Sequence, residues 1–482
     1  MNIAVFDSTG VVETVVPVEA LGGNRYQARA TIRSNLAPRQ YVGQFEVRLC
    51  RDSADTCRDP LPGSPWILPY KITVASSDSR PTLAVLPGST GWTAYQGDPA
   101  HTGAVQASIS AQAISRRWVV SGLSAGTVTA ANGRVFLPPP PRSFGVLKAL
   151  SEDSGAELWR YQDATISGSP TFAHGGAAID GDRIWVRSKP LIEAQDWLLS
   201  LDARTGATLF KQAFGYASSQ VHGTPVTVGA KVYYQDGYGV QVARRDGQSG
   251  AFEWSTTPDR ALSTVSTNSW APAVSGGRAY VFDRQTLWVL DATSGALLGS
   301  VAPAKPDPTV NIWDLDSSPV VGDSGRVYVS DYLALDGSPR VPRVVAYDAV
   351  GMRRLWSAPV GAISNPVLAA GAVLVQTSDR TLTALDPETG AVLWTWRGPT
   401  RHTNLRKDAP LLVVGTLAFV GLEDMTYAID LNTHKAVWQY PASGRMAVSE
   451  NGTLYIAQDT YPFDVIAFNL RQRPPGNEAP RP

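Results

Sequence analysis

Cysteine is nearly missing from this chain: 482 residues hold two, Cys50 and Cys57. Six mostly polar, turn-forming residues separate them in "RLCRDSADTCRDP". A structural metal site asks for about four ligands, and no second Cys or His pair lies nearby, so the spacing predicts a disulfide closing a short loop. Such a ring stabilises by roughly 2–3 kcal/mol on the chain-entropy view, and it points outside the cytoplasm. An excess of charge is also lacking. Lys plus Arg and Asp plus Glu number 42 each, which speaks against a nucleic-acid groove or a strongly anionic partner. No run of about 18 apolar residues is present, so no membrane helix is expected. The opening "MNIAVFDSTGVVETVVPVEA" lacks a basic stretch followed by an apolar one, so no signal peptide is expected in this chain. It reads as a mature or trimmed form. No G-x-S-x-G elbow, H-E-x-x-H helix or phosphate-cradling loop occurs.

What the chain does have is turns. It carries 43 Gly and 35 Pro, 43% hydrophobic and 17% charged residues, the balance of a turn-rich β protein. At this length, several domains or one large repeat architecture is expected. A phrase recurs: "ALSEDSGAELW" (149–159), "SLDARTGATLF" (200–210), "ARRDGQSGAFEW" (243–254), "VLDATSGALLG" (289–299), "AYDAVGMRRLW" (346–356), "ALDPETGAVLW" (384–394) and "AIDLNTHKAVW" (428–438). Before most copies stand a proline-started strand, as at Pro225, Pro272, Pro319, Pro366 and Pro410, and a Gly-turn strand such as "GGRAYV". Each unit therefore reads as four short antiparallel strands in roughly 45 residues, the pattern of a propeller blade.

The phrase has a physical logic. Asp at a strand end accepts backbone N–H bonds in an Asx turn, and Gly supplies the positive φ that the turn demands. The large residue on the outer strand covers the gap between blades: Trp159, Phe210, Trp254, Trp356, Trp394 and Trp438. Gly299 replaces the aromatic in one copy and His434 the turn Gly in another. After Trp438 three strands of a blade follow, ending in "DVIAFNL" (464–470), without a Trp strand. "ISRRWVV" (114–120) is a Trp strand without its three predecessors. Joining them predicts eight blades closed by Trp118, which leaves no open sheet edge; a seven-bladed ring with an unpaired flank is the alternative.

The repeat A-x-D-x-x-T-G-x-x-x-W resembles that of the quinoprotein-like propellers, and "GWTAYQGDPAHTG" (91–103) is similar to the W-x-x-x-x-G-D segment before their first blade. The resemblance covers roughly residues 88–470. It implies fold more than function, because the group holds both dehydrogenases that use pyrroloquinoline quinone (PQQ) and non-enzymatic scaffolds such as the outer-membrane protein assembly lipoprotein. The dehydrogenases place PQQ against two adjacent disulfide-bonded cysteines, with a Ca²⁺ or lanthanide held by Glu, Asn and Asp. This chain has no adjacent cysteines, so no PQQ is expected, and a Ca²⁺ would be structural.

Residues 1–75 lack the phrase, and "RYQARATIRS", "QYVGQFEVRLC" and "LPYKITVAS" alternate as sandwich strands do. A small immunoglobulin-like β-sandwich is expected there, then a linker (76–90), the propeller (91–470) and a mobile tail (471–482). Residues just before the inner-strand prolines should gather at the channel mouth: His222, Trp270, Asp316, Asn365, Lys407 and Asp408. They form a mixed polar set able to hold a small ligand or peptide, or merely to cap strand ends. Asp314 and Asp316 make at most a weak acid pair, and His101 and His402 lack partners at metal spacing, so they read as ordinary loop histidines.

The sequence thus predicts an all-β chain outside the cytoplasm, periplasmic, cell-surface or secreted. The leading reading is a non-enzymatic scaffold for a protein or polysaccharide partner. The opposed readings are a channel-mouth enzyme, as a PQQ-dependent dehydrogenase, hydrolase or lyase, and a structural subunit of a surface assembly.

Overall fold

The computed structural model describes the chain apart from residues 1, 8, 13–17, 23–24, 29–31, 34–35, 38, 54–55, 75–80, 124, 140–144, 162–170, 191–194, 217–222, 236–240, 258–270, 283–285, 304–316, 332–341, 400–409, 459–462 and 472–482. The chain divides into two compact units, Met1–Thr82 and Leu83–Pro482. No α-helix occurs among the described residues.

In the first unit, Gln40–Cys50 pairs with Asn2–Asp7 on one side and Trp66–Thr73 on the other, and Val18–Gly22 and Arg25–Ala28 form a separate hairpin. Five strands are described, fewer than the seven of an immunoglobulin-type sandwich, and that assignment does not follow from them. Cys50 and Cys57 are joined in a disulfide with their Cα atoms 5.2 Å apart. The Asp7 carboxylate ties the first strand to the sheet, accepting bonds from the Tyr70 hydroxyl (2.7 Å) and the Val11 and Val12 N–H groups. Its pKa lies far below the usual carboxylate range, because these bonds outweigh the cost of its desolvation.

The second unit is a ring of eight four-stranded antiparallel sheets. The first blade runs through Thr129–Ala131, Arg134–Leu137, Leu147–Ser151 and Glu157–Tyr161. The eighth takes Arg445–Val448, Thr453–Ala457 and Val465–Asn469 from the end of the chain and Ser115–Val120 from before the first blade. Trp118 lies opposite Ala467, so eight blades close as the sequence predicts. Ala104–Val105 adds a short parallel strand to the inner edge of the seventh blade.

Each blade is locked to the next by its outer aromatic. Trp159 lies against Gly206 of the second blade, where a Cβ would come within 2.7 Å of the indole, and its Nε1–H donates to the Ala203 carbonyl (3.1 Å). Phe210 covers Gly250, Trp254 covers Gly295 and Trp356 covers Gly390 in the same way. Only glycine leaves room for the ring, and its positive φ is what the turn requires. The turns are set by the predicted Asx bonds: Asp202 accepts from the N–H groups of Arg204 (2.8 Å) and Thr205 (2.9 Å), and Asp291, Asp386 and Asp430 repeat the pattern. The bonds from Ser294 to Asp291, and from Thr389 to Asp386, hold these carboxyls below the ordinary range.

Both departures from the phrase are repaired. His434 takes the turn with φ of 56°, and its imidazole stacks on Trp394 with centroids 4.3 Å apart. At Gly299, where the aromatic is missing, the turn of the fifth blade supplies Met352, whose Sδ and Cε would lie 2.9 Å from a Cβ at Gly299. The large residue has moved to the turn and the small one to the strand.

The seam between first and eighth blades carries additional polar bonds. Trp118 Nε1–H donates to the Glu152 carbonyl (2.8 Å). The buried Glu152 carboxylate accepts from Thr453 Oγ1 (2.7 Å), Asn451 Nδ2 (3.0 Å) and the Ser449 hydroxyl, and burial raises its pKa despite these bonds. Buried Arg117 reaches Asn469 Oδ1 (2.8 Å) and pairs with Asp153.

Trp159→Ala should lower unfolding free energy by about 3–5 kcal/mol in urea titrations, the usual cost of emptying a buried aromatic site. Gly299→Trp should destabilise strongly alone and far less with Met352→Gly, giving a coupling of more than about 1 kcal/mol in a double-mutant cycle. Additive effects would show that the two residues do not share one gap.

Candidate functional site

The candidate site is the axis of the ring, and residues 86–107 are what shape it. Inner strands face the axis with an unpaired edge, so their backbone N–H and C=O groups need partners. This segment supplies them in turn. Leu86 N–H donates to the Glu450 carbonyl of the eighth blade (2.7 Å), and Trp92 exchanges two bonds with Ala130 of the first. The carbonyls of Thr93, Pro99, Ala100, Thr102 and Gly103 then accept from Ile179, Val274, Val321, Leu368 and Val413, at 2.7–3.0 Å. Those donors belong to the second, fourth, fifth, sixth and seventh blades, and Tyr95 packs into the apolar cluster around Val226 and Tyr233 of the third. Residues 86–90, expected to be linker, are therefore already part of this path.

Tight turns let one segment meet every blade. Asp98 accepts from the Ala100 (2.8 Å) and Thr102 (3.2 Å) N–H groups, and Gln96 and His101 hold positive φ of 50° and 62° without being glycine. His101 is not an ordinary loop histidine: it is fully buried, its Nδ1–H donates to the Pro319 carbonyl (2.9 Å), and its ring meets Tyr95 edge-on. Its Nε2 has no partner among the described residues. Burial pushes its pKa down to about 4, against the weaker upward pull of the Pro319 bond.

Where the inner strands begin, an open cavity of about 80 Å³ remains. Its walls are Trp92, Tyr95 and Gln96 from the axial segment and, from the blades, Thr127, Asn365, Pro410, Arg445 and Met446 among others. Asn365 Nδ2–H donates to the Tyr95 hydroxyl (2.6 Å), and Gln96 Nε2–H to the Pro366 carbonyl (3.0 Å). Of the six residues predicted to gather at the mouth, Asn365 is here. His222, Trp270, Asp316, Lys407 and Asp408 lie outside the described residues, as do Asp314 and His402. Arg445 and Thr127 were missed because the inner strands of the eighth and first blades open without the proline used as the landmark. A small-ligand pocket ordinarily offers about 300–1,000 Å³, several times the volume of this cavity. Among the described residues, the grouping with three candidate metal-ligating atoms is Cys50, Asp52 and Cys57, and its sulfurs are joined to each other.

The sequence matches the family described as "Outer membrane protein assembly factor BamB" over residues 143–395 and 331–472. The BamB of Moranella endobia (strain PCIT) is 24% identical over 287 residues, covering 58% of this chain and 68% of its own. That of Yersinia pestis is 25% identical over 307 residues, covering 61% and 72%. Among solved structures, BamB from Moraxella catarrhalis superposes with a TM-score of 0.55 at 19% identity, covering 74% of this chain and 99% of that one. A europium-containing methanol dehydrogenase gives 0.51 at 13% identity, covering 76% and 88%. At such identities the two structures share the fold with this chain.

His101 generates a pH prediction. Between pH 6.5 and about 4 the unfolded chain takes up a proton that the folded chain refuses, so stability falls with pH across that window, by roughly 3 kcal/mol in all. Urea midpoints measured from pH 7 to 4 should decline less steeply in His101→Asn than in the wild type; parallel curves would show that the buried imidazole is not responsible.

Proposed function

The chain belongs to the outer membrane protein assembly factor BamB family, and from that premise we propose that it is a non-enzymatic scaffold acting outside the cytoplasm in outer-membrane protein assembly. Its partners in this reading are proteins, met by the propeller loops, and it uses neither a quinone nor a catalytic metal. The observation that carries the reading is the axial segment. The carbonyls of Thr93 to Gly103 bond to the inner strands of five blades, beside a cavity of about 80 Å³. The disulfide supports an oxidising compartment. No helix of the described residues is long and apolar enough to cross a membrane.

Two measurements test this. Adding PQQ with Ca²⁺ should neither raise the melting temperature nor produce dye-linked alcohol oxidation, since a ligand that binds only the folded state must raise it. Affinity capture from envelope extract of the source organism should enrich proteins of outer-membrane assembly. Quinone-dependent turnover, or capture that enriches none of them, overturns the proposal.

A further inference from the structure

We propose that Asn451 is a modification site: its side-chain amide is lost by deamidation when the seam between the eighth and first blades opens, and the carboxylate left behind keeps that seam from closing again. The inference goes beyond the scaffold reading and does not depend on it.

The chain holds two Asn-Gly pairs, Asn132–Gly133 and Asn451–Gly452. Glycine after asparagine has no Cβ to shield its backbone nitrogen, which leaves this pair open to intramolecular attack. The Gly452 nitrogen gives up its proton and bonds to the side-chain carbonyl carbon of Asn451, closing a five-membered succinimide, and the amide nitrogen leaves as ammonia. Water then opens the ring, to aspartate when it adds at the side-chain carbonyl and to isoaspartate when it adds at the backbone carbonyl.

The fold requires each member of the pair for a separate reason. Gly452 has φ of 74°, and a Cβ there would come within 2.9 Å of Leu86. Asn451 lends its Nδ2–H to the buried Glu152 carboxylate of the first blade (3.0 Å), one of the bonds that join the two ends of the ring. The closed ring shields the pair in return. Attack needs the Asn451 side chain to leave Glu152 and the Gly452 N–H to leave the Ser449 carbonyl (3.0 Å), so the route runs through local opening of the seam.

The product no longer fits. Aspartate at this position has no N–H to offer, and it faces Glu152 Oε2 with a second negative charge where little water screens it. Glu450 adds a third carboxylate nearby. Isoaspartate also lengthens the main chain by one carbon, in a turn whose Ser449 N–H must meet the Thr453 carbonyl (3.0 Å). The seam is therefore a one-way latch: while closed it preserves the amide that it needs, and while open it exposes that amide to loss. Asn132 supplies the contrast. It is exposed and donates to the uncharged Gly181 carbonyl (2.7 Å), so its conversion sets no charge against a buried carboxylate.

The test uses the whole chain. Native and urea-unfolded protein are held at mildly alkaline pH and 37 °C, and mass spectrometry of peptides reads the amide-to-acid mass gain at Asn451. Conversion should be at least ten-fold slower in the native protein than in the unfolded one. Asn451→Asp, which is the product itself, should lower the urea midpoint, and Asn132→Asp should lower it by less than half as much. Glu152→Gln keeps an oxygen for Ser449 and Thr453 and puts an N–H where Oε2 stood. Combined with Asn451→Asp, it should restore at least half of the lost midpoint. If Asn451→Asp does not fold, folding of the double variant is that recovery, and the wild-type conversion rates stand independently. Equal conversion in native and unfolded protein, no conversion in the unfolded chain, an unchanged midpoint in Asn451→Asp, or no recovery in the double variant overturns the proposal.

Discussion

The structure depends on one contact repeated around a circle, a large outer-strand side chain laid over the next blade's turn. A four-stranded sheet cannot bury both its faces by itself, so each blade is stable only against neighbours. The aromatic ring converts that general need into a register. It fits where the next turn has no side chain, as Trp159 fits over Gly206, and its indole N–H then reaches a turn carbonyl. The Asx bonds of Asp202 and its counterparts hold the turn in the shape that leaves the space. Each element of the phrase thus serves the contact between blades more than the blade in which it is found.

Complementarity across the gap, and not residue identity, is what is kept. Met352 against Gly299 reverses the usual arrangement, and His434 beneath Trp394 fills a glycine position with a flat ring that can stack. The same economy shapes the seam. Glu152 occupies the turn position next to the usual Asp, and it is aimed at Ser449, Asn451 and Thr453, which belong to the far end of the chain.

The phrase was legible in the sequence because it is local: strand, turn and aromatic follow one another within about a dozen residues, and periodicity reveals them. The closure by Trp118 was legible as well, since each end of the ring lacked what the other had. The path of residues 86–107 was not. Its bonds are backbone carbonyls meeting backbone N–H groups, which any side chain permits, so only the resemblance of residues 91–103 to the W-x-x-x-x-G-D segment marked it. The swap at Met352 was half visible, as Gly299 stood out while its remedy lay 53 positions away. At the mouth, proline served as the landmark for Asn365 and failed for Arg445, whose strand begins without one. The N-terminal unit has no repeat to read, and alternation marked three strand segments where five strands are described.

The route of the axial segment also governs when this molecule can be finished. Trp92, Thr93 and Gly103 are made early, yet the strand edges that they bond to emerge one after another over the following 320 or so residues. Ser115–Val120 waits longer still, for Val465–Asn469. Until the last blade leaves the ribosome, residues 86–107 lack some of their partners, Ser115–Val120 lacks its sheet, and the blades at the two ends of the growing ring each leave a face uncovered. The protein therefore passes through a long adhesive infancy, and its maturation is tied to completing the whole chain, not to folding blade by blade.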